Sequence, residues 1–158
     1  MSARRWWVAA WTLAAAVAPV PSAAQASPVA VVVNAKAPVD SLSLGELRRL
    51  FLGARQFWGD GTRVTLLVLP EGNPARDVSL RLVYQMGEGE YRQYWVAKIF
   101  RAEVASGPKI VYSVEQGRRV VAATPGAILL LPAAAVDGSV KVVRIEGRRP
   151  GDRGYPLR

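Results

Sequence analysis

The stretch VTLLVLPEGNPARDV, Val64–Val78, changes structural type partway along. Val64–Leu69 is an unbroken apolar and β-branched run, the composition of a strand buried on both faces. Pro70 and Gly72 interrupt it. Asn73 is a favoured N-cap and Pro74 a favoured first helical residue. Ala75, Val78, Leu82, Val83 and Met86 then recur at helical spacing until Gly87. A strand feeding a turn and a helix start aims free backbone N–H groups and the positive end of the helix dipole at one spot. In open α/β sheets that spot lies beyond the carboxyl end of the strand, where ligands bind. Arg76, one turn in, adds a guanidinium fork suited to an oxyanion. An ordinary capped helix start also needs Asn73 and Pro74, so both readings stand here.

The pattern continues on both sides of this stretch. Val29–Val33 is a short apolar run suited to a central strand, and Asn34–Asp40 reads as a loop. Ser43, with Glu46 three residues on, forms a capping box. The helix it opens lines up Leu44, Leu47, Leu50 and Phe51, and Gly53 ends it. Trp58–Thr62, WGDGT, is turn chemistry. A further helix starts near Glu88 and Glu90, acids that suit its positive end, and carries Tyr91, Tyr94, Trp95 and Ile99 on one side. Ser113–Gln116 predicts another capped helix, with Val114, Gly117, Val120 and Val121 inward. Gly126–Leu131 and Val140–Ile145 read as strands. Strands alternating with helices predict one α/β domain: an open, largely parallel sheet with flanking helices in a three-layer-like arrangement.

The first residues are of a different kind. Arg4 and Arg5 precede an apolar or small run, Trp6–Ala18, and Ala24-Gln25-Ala26 has the A-x-A form of a cleavage site. The run is too short to cross a bilayer comfortably. Residues 1–26 are therefore read as a secretory signal peptide, 27–147 as the folded domain and 148–158 as a loose basic tail. That places the mature chain in the periplasm or outside the cell, with no transmembrane segment after cleavage. The formal charge is +9, from 21 cations of which four are lysine and the rest arginine. Export argues against nucleic acid as the partner of this charge. Small anions and acidic envelope partners remain, as does an Arg-rich composition with no partner at all.

Catalysis finds little support. The chain has no cysteine and no histidine. It therefore lacks a thiol nucleophile, the usual general base near neutral pH and the commonest metal ligands. No zinc spacing, phosphate loop or dinucleotide fingerprint is present, so no cofactor or metal is expected. Ser106 and Lys109 have the S-x-x-K spacing of serine acyltransferases, but Gly107 and Pro108 place them in a loop, without the one-turn geometry that chemistry needs. Glu88 and Glu90 read as a solvated pair at a helix start, Tyr91, Tyr94 and Trp95 as core, and Thr124-Pro125-Gly126 as a turn between helix and strand.

Taken in order, VAVVVN (Val29–Asn34), SLGELRRLFLG (Ser43–Gly53), WGDGT (Trp58–Thr62), YWVAKIF (Tyr94–Phe100) and VVAATPGAI (Val120–Ile128) resemble segments of the phosphate-binding-protein-like family. These are type II periplasmic solute-binding proteins of phosphate ABC transporters, and the likeness runs from Val29 to about Gly147. The resemblance implies one lobe of a two-lobed receptor fold and a non-enzymatic protein that binds phosphate or a similar small oxyanion. An ABC transporter or an envelope sensor protein is the implied partner. The family's turn before the anion-binding helix runs R-x-D-G-S-G-T. Here Leu69, Glu71, Gly72, Asn73, Pro74 and Ala75 stand at its arginine, aspartate, first glycine, serine, second glycine and threonine. The contacts implied are Asn34, Gly72, Asn73, Ala75 and Arg76, and the loss of the arginine and both hydroxyls implies weak binding or altered specificity. The alternative is an envelope interaction protein with no small ligand, whose receptor lobe would be a protein-binding surface carrying a patch of Arg48, Arg49, Arg118 and Arg119.

Overall fold

The computed structural model describes residues 27–158; the expected signal peptide lies outside the described residues. Six strands form one sheet in the order β2-β6-β1-β5-β3-β4. They are β1 Val29–Val33, β2 Ser41–Leu42, β3 Thr65–Val68, β4 Lys109–Ile110, β5 Ala127–Pro132 and β6 Lys141–Ile145. β2 runs parallel to β6, and β5, β3 and β4 run parallel to one another. Central β1 is antiparallel to both β5 and β6. The sheet is therefore largely parallel with one reversed strand. All five residues of β1 are buried, as its continuous apolar run requires of a strand covered on both faces. The two-residue edge strands β2 and β4 carry too little pattern to be seen in the sequence.

The helices follow their caps. In α1, Leu44–Phe51, the Ser43 hydroxyl accepts from the Glu46 N–H while the Glu46 carboxylate accepts from the Ser43 N–H. Leu47, Leu50 and Phe51 face the core, and the helix stops in a Schellman arrangement in which Gly53 and Ala54 donate to Leu50 and Arg49. α3 is Glu88–Phe100, and α4, Val114–Ala123, is capped by the Ser113 hydroxyl. α4 lies close on β5 because residue 117 is glycine: a Cβ there would come within 2.6 Å of Leu129.

The helix that opens at Asn73 departs from the expected regular stripe. Regular turns last only through α2, Pro74–Val78, and Ser79–Tyr84 continue as a π-helical segment. The wider turn brings Leu80 and Tyr84 into the core, while Leu82 and Met86 are only half-buried. Tyr84 then stands in an edge-to-face series, Phe51–Tyr84–Tyr91–Trp95–Tyr94. Tyr91 and Trp95 of α3 are thus core residues and Tyr94 packs half-buried against them, whereas Phe100 is exposed.

The end of the chain also corrects the sequence reading. Residues 148–158 are not a loose tail, because Leu157 and Tyr155 are buried. The Leu157 carbonyl accepts from the Val29 N–H at 3.0 Å, and the Tyr155 hydroxyl donates to the Val29 carbonyl at 2.8 Å. Proline and glycine punctuation marked the segment as irregular, but its two anchors, Tyr155 and Leu157, are buried in the core. Leu157→Ala is expected to destabilise the domain by about 2–5 kcal/mol, read as a shift in the denaturation midpoint. A cost under about 0.5 kcal/mol, the usual effect of a surface change, would contradict the anchoring role.

Candidate functional site

The turn at the carboxyl end of β3 is where the sequence places an anion. Gly72 takes a left-handed φ of +82°, as the turn requires, and space around it is open. The Asn73 side-chain carbonyl accepts from the Ala75 N–H at 3.0 Å. The N–H groups of Arg76 and Asp77 both donate to the Asn73 backbone carbonyl, and Pro74 has none to offer. Every N–H of the first turn therefore has an internal partner or is missing. Ala75 is buried beneath the turn.

Arg76 is only 4% exposed. Its Nε and Nη2 donate to the two carboxylate oxygens of Glu88, the latter at 2.8 Å. Its Nη1 donates to the Leu69 carbonyl at 2.8 Å, and its guanidinium sits 5.0 Å from the ring centroid of Tyr91. Glu88 thus fills the fork that a tetrahedral or planar oxyanion would take. The hydrogen bonds and charge of Arg76 hold the Glu88 carboxyl below the ordinary glutamate range. Beside the guanidinium on the core side remains a void of about 10 Å³, room for at most one water. A shallow groove beside α2 is lined by Asp77, Glu88 and Glu90 and by one cation, Arg81.

Asn34, expected as a hinge contact, is buried at the end of β1. Its amide donates to the carbonyls of Val121 and Ala122 at 3.0 and 2.9 Å, and its side-chain oxygen accepts from the Lys36 N–H. It staples β1 to the carboxyl end of α4. The structure thus brings Gly72, Asn73, Ala75 and Arg76 together, and places Asn34 in a separate network of its own.

The proposed arginine patch divides between two helices. Arg48 on α1 donates to the Leu82 carbonyl, and Arg118 on α4 pairs with Asp137 and donates to Ala135. Ser106 and Lys109 flank the irregular connection into β4, without the helical turn that Ser/Lys chemistry needs. Gly126, in the turn before β5, serves a close backbone approach: a Cβ there would meet the Arg63 carbonyl at 2.1 Å. The residue missed by sequence reading is Glu88, taken as solvated. It lies twelve positions from Arg76 across a π-helical segment and a turn, where no periodicity connects them. Glu90 accepts from the Gly87 N–H, a capping contact its position at the helix start does announce.

The fold has clear counterparts among solved structures. An ABC-type phosphate transport receptor from Vibrio cholerae superposes with a TM-score of 0.67 at 19% identity, over 82% of this chain and 52% of that one. PstS from Borrelia burgdorferi gives 0.63 at 9% identity, over 82% of this chain and 53% of that one. A phosphate ABC transporter substrate-binding protein from Clostridium perfringens, solved with bound phosphate, gives 0.63 at 17% identity, over 78% and 46%. The chain spans about half the length of these receptors, and its fold is phosphate-binding-protein-like. No family profile and no curated protein matches the sequence.

The Arg76–Glu88 pair yields an asymmetric expectation. Glu88→Ala leaves a buried guanidinium unpaired and is expected to cost about 3–5 kcal/mol, whereas Arg76→Met with Glu88→Leu should be nearly neutral. Because the folded-state pKa of Glu88 is lowered, its contribution is present above about pH 4.3, the ordinary glutamate value, and is lost as pH falls through the folded pKa. Denaturant midpoints measured from pH 7 to pH 3 should therefore fall less steeply for the double variant than for the wild type. Equal slopes would contradict the pairing.

Proposed function

We propose that this chain is an exported, non-enzymatic solute-binding protein of the phosphate-receptor type whose phosphate grip at the Asn73 turn is weak. The observation that carries the reading is the Arg76 fork, set one turn inside the helix start of a receptor-like fold and filled by the chain's own carboxylate. An incoming phosphate competes with Glu88 for the guanidinium and finds the first-turn N–H groups already engaged. Support for a non-enzymatic role comes from the absence of cysteine and histidine and from a site made of caps and one ion pair. Support for export comes from the composition of residues 1–26, and an ABC transporter would be the partner of such a receptor.

Melting temperatures with and without millimolar phosphate, at constant ionic strength, test this. A ligand present at its own Kd stabilises by about 0.4 kcal/mol, which is about 1–2 °C for a domain of this size. The wild type should shift by no more than that. Glu88→Ala, less stable without ligand, should gain a larger shift because its fork is vacant. A shift of many degrees in the wild type, or any shift that survives Arg76→Ala, would overturn the reading.

A further inference from the structure

At the opposite end of β3 lies a second concavity, of about 210 Å³. Leu50, Leu66, Val104 and the ring of Trp95, the last packed between Gly53 and Gly107, supply its apolar lining. Its polar lining includes three cations, Arg55, Arg63 and Lys109, and no carboxylate. None of the three makes an ion pair among the described residues. The nearby acid Glu103 is already shared between Lys98 and Arg101, so it does not neutralise them. Two of the cations are held in place. Arg55 donates from Nε to the Phe57 carbonyl at 3.2 Å, and the Arg63 guanidinium stands 5.9 Å from the Phe57 ring centroid. The WGDGT turn fixes this arm: the Trp58 indole donates to the Gly126 carbonyl at 3.0 Å, and the Phe57–Arg63 bridge closes its base. Cations lining a concavity raise the local concentration of anions, and the apolar part of the lining adds a hydrophobic contribution that bare phosphate cannot use.

We infer that this pocket binds a small amphipathic carboxylate, its charged head on Arg63 and Lys109 and its apolar body against Trp95 and Val104. The volume lies below the roughly 300–1,000 Å³ of sites for drug-sized ligands, which limits the body to a single ring or a short acyl chain. The site is independent of the Asn73 turn and does not rest on phosphate binding there.

The test is a titration of the purified, isotope-labelled protein with sodium benzoate at constant ionic strength, followed by amide and indole N–H chemical shifts. Inorganic phosphate and benzyl alcohol form parallel arms. Benzoate should cause saturable shifts at the Trp95 indole, Val104 and Gly107. Phosphate and the neutral alcohol should each bind there at least about tenfold more weakly, a difference of about 1.4 kcal/mol. Arg63→Ala combined with Lys109→Ala, both at exposed positions, should weaken benzoate about tenfold or more while leaving the melting temperature nearly unchanged. Lys109→Glu alone should act in the same direction and serves if the double variant folds poorly. Absence of saturable benzoate shifts, equal affinity for benzyl alcohol, or unchanged binding in both variants would overturn the inference. Phosphate shifts confined to Asn73–Arg76 bear on the other site and leave this one standing.

Discussion

The guanidinium of Arg76 ties three elements together at the carboxyl end of β3. It reaches back to the last carbonyl region of the strand at Leu69, belongs to α2, and holds the first residue of α3 through Glu88. A charge this deeply buried is tolerated only when its donors are satisfied and its charge is matched. The carboxylate, the carbonyl and the Tyr91 face together meet that demand. The π-helical segment is consistent with the same constraint, since the wider turn helps bring Glu88 to the fork and delivers Tyr84 to the aromatic series. Stability and ligand access are therefore opposed at this turn. The pairing that makes burial of Arg76 acceptable also occupies the group an anion would use.

The rest of the domain is organised around β1, the one strand that runs against its neighbours. Its start is closed by Tyr155 and Leu157, its end by Asn34 reaching to α4. At the start the Val29 N–H and carbonyl are matched by the Leu157 carbonyl and the Tyr155 hydroxyl; at the end the Asn34 side chain donates to backbone carbonyls of α4. Asn34 has its two amide donors and its acceptor engaged, which explains how it can be buried without cost from an unsatisfied group. Its role is that of a staple between β1 and α4.

Much of the architecture was legible in the sequence because local signals agree with the fold. The capping box at Ser43, the Ser113 cap, the Asn73-Pro74 helix start and the apolar runs of β1, β3, β5 and β6 each name their element. What was hidden is non-local. The pairing of Arg76 with Glu88 depends on a π-helical segment that no residue pattern marks, and the anchoring of Leu157 on β1 joins the two ends of the domain. The basic pocket was equally invisible: Arg55, Arg63 and Lys109 come from the segment after α1, the approach to β3 and the edge strand β4. The WGDGT turn was read correctly as a turn, but its consequence, the positioning of two arginines, needed coordinates.

The central claim is that Glu88 occupies the Arg76 fork in the unliganded protein and yields it only to phosphate at millimolar concentration or above. Nitrogen-15 NMR of arginine Nε–H groups addresses it directly, with Arg76 assigned by substitution. If so, the Arg76 Nε–H exchanges slowly with solvent and keeps its chemical shift at micromolar phosphate, moving only at millimolar concentrations or above. A rapidly exchanging Nε–H whose shift saturates at micromolar phosphate would show an open fork and contradict the pairing.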